Sequence, residues 1–274
     1  VFSEKCLEYG IPYHPENPRR VRLAYEYLKD KYCFIEAEPA SLDDLLLVHD
    51  KEYIEKIRRG AFYDPDTPAY ENIFEYALLA VGGAILAAEK KAFSLMRPPG
   101  HHAGRKGVAL GAPTLGFCYF NNIAIAVKKL GLRTVIVDID THHGNGTEEI
   151  FLGDENVTYV SLHTGGIYPG TGLVSRDNCL NYPLPMGIGD EYYLRVLREA
   201  LDKAEVEKFD LIAVSAGFDT LAGDLGGLRL STDCYFEIGK LIGQYGKPVF
   251  AVLEGGYSDK LGVCIDNFIK GLNL

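Results

Sequence analysis

The stretch Thr134-Val-Ile-Val-Asp-Ile-Asp-Thr-His-His-Gly-Asn-Gly146 constrains this chain more than any other, because an apolar strand runs directly into Asp138, Asp140, His142 and His143. Residues two apart on an extended strand share a side, so Asp138, Asp140 and His142 are expected to point one way and His143 the other. Carboxylates on a buried strand are costly unless paired, hydrogen-bonded or bound to a cation. A solvated turn capped by Asn145 would explain neither the two carboxylates nor the histidine pair. The pattern therefore predicts a metal centre where the strand opens into a Gly-rich loop.

Around this centre, 274 residues with 47% hydrophobic content supply a sizeable core, and one domain spanning 1–274 is expected. A net charge of -10 opposes a sequence-independent grip on nucleic acid, which needs a basic face. The six cysteines are scattered, with no Cys-x-x-Cys pair, and read as reduced core residues rather than a thiolate zinc site or a disulfide framework. No signal peptide and no bilayer-length apolar run is found, so no membrane association is expected and the cytoplasm is the expected compartment.

Apolar runs at Ala92–Met96, Thr134–Ile139, Val157–Leu162, Leu211–Ser215 and Val249–Leu253 alternate with helical periodicity over Pro18–Lys29, Glu71–Lys90, Asn121–Leu130, Asp190–Ala204, Thr232–Tyr245 and Asp259–Lys270. This alternation predicts an α/β fold with a parallel sheet. Asp64-Pro-Asp-Thr-Pro68 reads as a surface loop.

Ligands of open parallel sheets bind outside the carboxyl ends of the strands, and each predicted strand leads into reactive residues. In order these are Arg97-Pro-Pro-Gly-His-His-Ala-Gly104, the Asp/His cluster, His163 with Gly165-Gly-Ile-Tyr-Pro-Gly170, Ala216-Gly-Phe-Asp-Thr220, and Glu254-Gly-Gly-Tyr257. The best closed ligand set is Asp140, His142 and Asp219, with a fourth position left for water or substrate, as in catalytic rather than structural zinc sites. Two carboxylates would make a bound water less acidic than three histidines would, so a nearby base is required. His101 and His102 can provide it, with Asp138 and Asn145 available to fix their tautomers. Tyr257, on a Gly-Gly turn, can donate to a developing oxyanion. Phe117, next to Gly116, and Tyr168 are candidate pocket walls.

In order and spacing, Pro98-Pro-Gly-His-His-Ala103, Gly116-Phe-Cys-Tyr-Phe-Asn-Asn122, Asp138-Ile-Asp-Thr-His-His-Gly-Asn-Gly146, Ser161-Leu-His163, Ala216-Gly-Phe-Asp219 and Leu253-Glu-Gly-Gly-Tyr257 resemble the zinc-dependent histone deacetylase superfamily. His14-Pro-Glu-Asn-Pro-Arg-Arg20 and Leu45-Leu-Leu-Val-His49 extend the resemblance over almost the whole chain. It implies the arginase/deacetylase fold, a three-layer α/β/α arrangement around a mostly parallel sheet of about eight strands, and hydrolysis of an acyl amide. Asn145, where the class I branch has Asp, and the Leu253-to-Tyr257 motif look like the class II and prokaryotic branch.

Carried over residue by residue, the resemblance makes Asp140, His142 and Asp219 the zinc ligands and Tyr257 the carbonyl-polarising group. His101, backed by Asp138, and His102, backed by Asn145, become the proton-transfer pair. An amide offsets an imidazolium less than a carboxylate does, so His102 is expected to stay neutral and act as base. The resemblance also implies that Phe117 and Tyr168 flank the acyl-lysine stem, Asp66 holds substrate backbone at the rim, and Arg20 borders an acetate-release cavity. Asp138, Asp140, His142, Ser161 and Leu162 match a monovalent-cation site such as one for K+. Mixed oxygen and nitrogen ligands also suit Fe2+.

Leu225, at the gatekeeper position in Gly223-Asp-Leu-Gly-Gly227, lacks the acid found in polyamine-selective relatives, so the expected substrate is acetyl-lysine of proteins or peptides. Small acylated amines or acetylpolyamines are the alternative. Two rival readings are a binuclear ureohydrolase-like enzyme, which needs further bridging carboxylates, and a silent acyl-lysine-binding protein, which would be expected to lose Tyr257, a ligand or a histidine.

Overall fold

The computed structural model describes residues 1–273. Its strands in chain order are β1 (Phe93–Ser94), β2 (Ala103–Gly104), β3 (Gly107–Val108), β4 (Thr134–Asp138), β5 (Val157–Thr164), β6 (Cys179–Leu184), β7 (Leu211–Ala216) and β8 (Val249–Leu253). Among the described residues, six form one parallel sheet in the order β1-β8-β7-β4-β5-β6, while β2 and β3 pair as a separate antiparallel hairpin. The helices are α1 (Pro18–Leu28), α2 (Leu42–Leu46), α3 (Lys51–Arg58), α4 (Ile73–Lys90), α5 (Asn122–Leu130), α6 (Asn145–Phe151), α7 (Asp190–Lys203), α8 (Cys234–Gly243) and α9 (Leu261–Leu272).

The pleat divides the apolar strand residues between two cores. Val135, Val137, Ile212, Val214, Ala251 and Leu253 pack with α1, α7, α8 and α9. Ile136, Ala213, Phe250 and Val252 pack with α3, α4 and α5 on the opposite face. A sheet covered on both sides needs continuous apolar strands, which is why these runs are so pure. The result is three layers, helix on sheet on helix.

The main sheet is narrower than the eight strands expected. Beyond β1, among the described residues, the layer is extended by Leu95 N donating to Val1 O, by the Val1 amino group donating to Phe93 O at 2.6 Å and by an isolated parallel bridge between Phe2 and Glu36. Neither segment continues as a strand, because a 3-10 turn begins at Glu4 and Pro39 has no N–H to offer. Strand β6 escapes the apolar-run criterion because it is an edge strand carrying Asn181 and Pro183. The run at Ala92–Met96 is regular strand only at Phe93–Ser94 before the chain turns to the pocket. Of the six free cysteines five are buried, but Cys33 is exposed in the turn after α1 and is not a core residue. Among the described residues no helix is long and apolar enough to cross a membrane.

Candidate active site

Strand β4 ends at Asp138, so strict two-residue alternation does not carry the chain to His142. Side-chain caps do the work instead: Asp138 Oδ1 accepts from Asp140 N at 3.1 Å, and Asp140 Oδ1 accepts from His142 N at 2.9 Å. These bonds curl the chain so that Asp140 and His142 face Asp219, which stands past the end of neighbouring β7. His143 points elsewhere, bonding Glu148 Oε2 at 2.9 Å and Thr171 Oγ1 at 2.8 Å.

One donor atom each from Asp140, His142 and Asp219 lies within 4.8 Å of the others. His142 Nδ1 is 3.1 Å from Asp140 Oδ1 and 3.0 Å from Asp219 Oδ2. A ring nitrogen carries at most one proton and cannot serve both carboxylates. Asp219 Oδ2, though close, lies outside hydrogen-bond geometry and is a buried oxygen with no hydrogen-bond partner. The other carboxylate oxygens are engaged, Asp219 Oδ1 by Thr141 N at 2.9 Å and Asp140 Oδ2 by Gly255 N at 2.8 Å. Two oriented buried carboxylates converging on one imidazole fit a divalent cation with N and O ligands.

His101 and His102 are buried with ring centroids 4.0 Å apart. His101 Nδ1 donates to Asp138 Oδ2 at 3.0 Å, and the same oxygen accepts from Tyr159 OH at 2.9 Å. Burial opposes a charge on His101, but Asp138, then Asp140 and Glu254, outweigh it and lift the pKa to about 10. His102 Nδ1 lies 2.8 Å from Asn145 Oδ1, while Asn145 Nδ2 donates to Ala109 O at 2.9 Å. That second bond orients the amide, so His102 carries its proton on Nδ1 and has a free lone pair on Nε2. Burial, with the charges of His101 and His142, holds its pKa well below the usual value.

The cavity above these groups measures about 260 Å³ and is lined by His101, His102, Asp140, His142, Gly116, Phe117, Tyr168, Asp66, Leu225 and Tyr257, among others. Gly116 and Phe117 both adopt positive φ, +56° and +69°. Such a conformation in a bulky residue costs about 1–3 kcal/mol and persists only where its surroundings enforce it. Thr67 Oγ1 does so by accepting from Phe117 N at 2.9 Å. Tyr168 turns its ring edge to His102, centroids 5.0 Å apart, and donates its hydroxyl to Thr114 O at 3.0 Å. Burial keeps the Tyr257 phenol protonated, its pKa raised well above the usual value despite the Arg20 charge, whose guanidinium carbon lies 4.9 Å from the ring centre.

The loop at 64–68 is more than surface. Thr67 is fully buried, and Asp66 Oδ1 and Oδ2 accept from Thr67 and Thr114 hydroxyls at 3.0 and 2.6 Å. Arg20 donates from Nε to Gly256 O at 2.7 Å and from Nη2 to Glu254 O, holding the turn that carries Tyr257. For the expected monovalent-cation set, strand pairing puts Asp138 opposite Ser161, with Leu162 next along β5.

Two supports were assigned no role from the sequence. Arg97 is fully buried and pairs both Nε and Nη2 with the Glu16 carboxylate at 2.6 and 2.7 Å, anchoring the root of the His101–His102 loop. Glu254 Oε2 accepts from Gly100 N at 2.7 Å and His101 N at 3.2 Å, tying the Tyr257 turn to that loop. A charged residue at the end of the apolar run Val249–Leu253 was the available signal for Glu254.

Fold and site together define a metal-dependent hydrolase. Residues 14–272 match the histone deacetylase domain, and the chain belongs to that family. It is 39% identical to a probable deacetylase of Archaeoglobus fulgidus, over 94% of this chain and 80% of that protein. A probable deacetylase of Methanothermobacter thermautotrophicus is 38% identical over 95% and 86%. The crystal structure of the HDA15 HD domain superposes with a TM-score of 0.89 at 32% identity, covering 99% of this chain and 90% of that one. An acetylpolyamine aminohydrolase from Burkholderia pseudomallei shares the fold, with a TM-score of 0.88 at 24% identity over 99% and 97%. The protein is a deacetylase acting on acetylated substrates.

Proposed function

We propose that this deacetylase is zinc-dependent and acts on acetyl-lysine in proteins or peptides. The observation that carries the substrate reading is Leu225, 55% exposed on the cavity wall, where an uncharged rim suits a neutral acyl-lysine stem better than a second ammonium group. Zinc, held by Asp140, His142 and Asp219, would supply Lewis acidity toward the acyl carbonyl and acidify a water.

The chain's own groups do the rest. The stem lies between Phe117 and Tyr168, which exclude water from the scissile amide. Neutral His102 takes a proton from the attacking water on Nε2. The Tyr257 phenol donates to the carbonyl oxygen as charge develops there. Protonated His101, held by Asp138, opposes the charge that His102 gains and so keeps it a ready acid, and His102 returns the proton to the departing lysine amine. Acetate would leave past Arg20, and Asp66 would meet the substrate main chain at the rim. The β4 and β5 ends would hold a monovalent cation beneath.

The test is a comparison of kcat/KM for acetyl-lysine peptides and N-acetylated polyamines with zinc-loaded protein. Peptides are expected to be preferred, and a large preference for the polyamine would overturn the substrate reading. Replacing Tyr257 with Phe should lower kcat about 100-fold or more.

A further inference from the structure

The Asp224 carboxylate joins two walls of the pocket that are remote in sequence. Its Oδ1 accepts from Leu225 N at 2.8 Å. Its Oδ2 accepts from Tyr257 N at 2.9 Å and Ser258 N at 2.8 Å. The rim residue and the residue bearing the phenol therefore hang on the two oxygens of one side chain. Each partner is held on its other side as well. Gly226 O accepts from Thr141 Oγ1 at 3.0 Å and Thr164 Oγ1 at 2.9 Å, which fixes the segment after Leu225 to the sheet. Gly256, at φ +120°, has its carbonyl taken by Arg20 Nε at 2.7 Å. Between these two fixed points, Asp224 is the link.

We propose that Asp224 is a positioning residue for deacetylation, setting the Tyr257 phenol and the Leu225 rim through their main-chain N–H groups. This rests on the reading of Tyr257 as donor to the carbonyl oxygen. Backbone N–H groups bonded to an ionised carboxylate make strong, directional contacts. Displacing a reacting group by about 1 Å costs on the order of 100-fold in rate. Asp224 is only partly buried, so the N–H groups released by its removal meet water, and the fold should survive.

The test is a double-mutant cycle of Asp224→Ala and Tyr257→Phe on an acetyl-lysine peptide, with metal content and Tm measured for each protein. Asp224→Ala alone should lower kcat about 10-fold or more, with a smaller change in KM and one metal per chain retained. In the Tyr257→Phe background the same change should have almost no further effect. Asp224→Asn, with one oxygen left to accept, should recover part of the loss. Unchanged kcat for Asp224→Ala beside a slow Tyr257→Phe would overturn the proposal, as would equal losses in both backgrounds. A fast Tyr257→Phe would instead remove the reading on which it rests, and the proposal with it.

Discussion

Asn145 grips Ala109 O with its amide nitrogen at 2.9 Å, and so presents its oxygen to His102 Nδ1 at 2.8 Å. A neutral acceptor fixes the tautomer of His102 without stabilising its charged form. Replacing Asn145 with Asp adds an anion at hydrogen-bond distance, which favours the imidazolium and raises the His102 pKa. The base then stays protonated to higher pH, and the acid limb of the kcat/KM profile should move up by about one unit. A superimposable profile would show that His102 is not the titrating base.

Gly116 tests the pocket wall. A Cβ there would collide with the His102 ring and the Tyr168 hydroxyl, and φ of +56° is strained for any residue with a side chain. Gly116→Ala should cut kcat/KM by about 100-fold while metal content is retained, since it acts by misplacing His102. Near-normal activity would mean the loop can yield where the packing says it cannot.

Metal dependence has a stoichiometry as well as a sign. Chelation should abolish activity and one zinc per chain should restore it. Zinc at about a hundred times its Kd should add about 2.7 kcal/mol of stability, read as a rise in Tm. Two ions per chain would point instead to a binuclear centre.

Rim charge should tune selectivity. Leu225→Glu places a carboxylate at the mouth, and the ratio of kcat/KM for N-acetylated polyamine over acetyl-lysine peptide should rise about 10-fold or more, equivalent to about 1.4 kcal/mol. An unchanged ratio would remove Leu225 from substrate choice.

Acid stability follows from His49. Its Nδ1 donates to Gly104 O at 2.9 Å and its Nε2 accepts from Asn121 N at 2.9 Å, an arrangement only the neutral ring satisfies. Burial depresses its pKa from 6.5 to about 4. Between those values the unfolded chain binds the extra proton, so stability is complete above pH 6.5 and falls as the pH drops toward 4. The loss from this group is about 3 kcal/mol. Denaturant titrations across that window should show a shallower pH slope for His49→Gln than for the natural chain, and equal slopes would exonerate His49.

The parallel sheet was legible because both its faces are buried, leaving β4, β7 and β8 as pure apolar runs. The Asp140, His142 and Asp219 cluster, which could hold a metal ion, was legible because Asp140 and Asp219 follow such runs, where a carboxylate needs a reason. Edge strand β6 and the bridge at Phe2 were not, because edges tolerate proline and polar residues. Asp224 escaped notice for a different reason. It acts by accepting from backbone N–H groups, and a loop carboxylate engaged in that way has the same sequence signature as one bathed in water.

The buried pairing of Arg97 with Glu16 has a consequence for how competence is acquired. The histidine loop is rooted in a residue more than eighty positions upstream, and the tyrosine turn is tied through Arg20 to that same early segment. No contiguous stretch of the chain contains a working pocket. Catalysis should therefore require the early segment to be docked over the strand ends, and any nick that releases that segment should silence the enzyme.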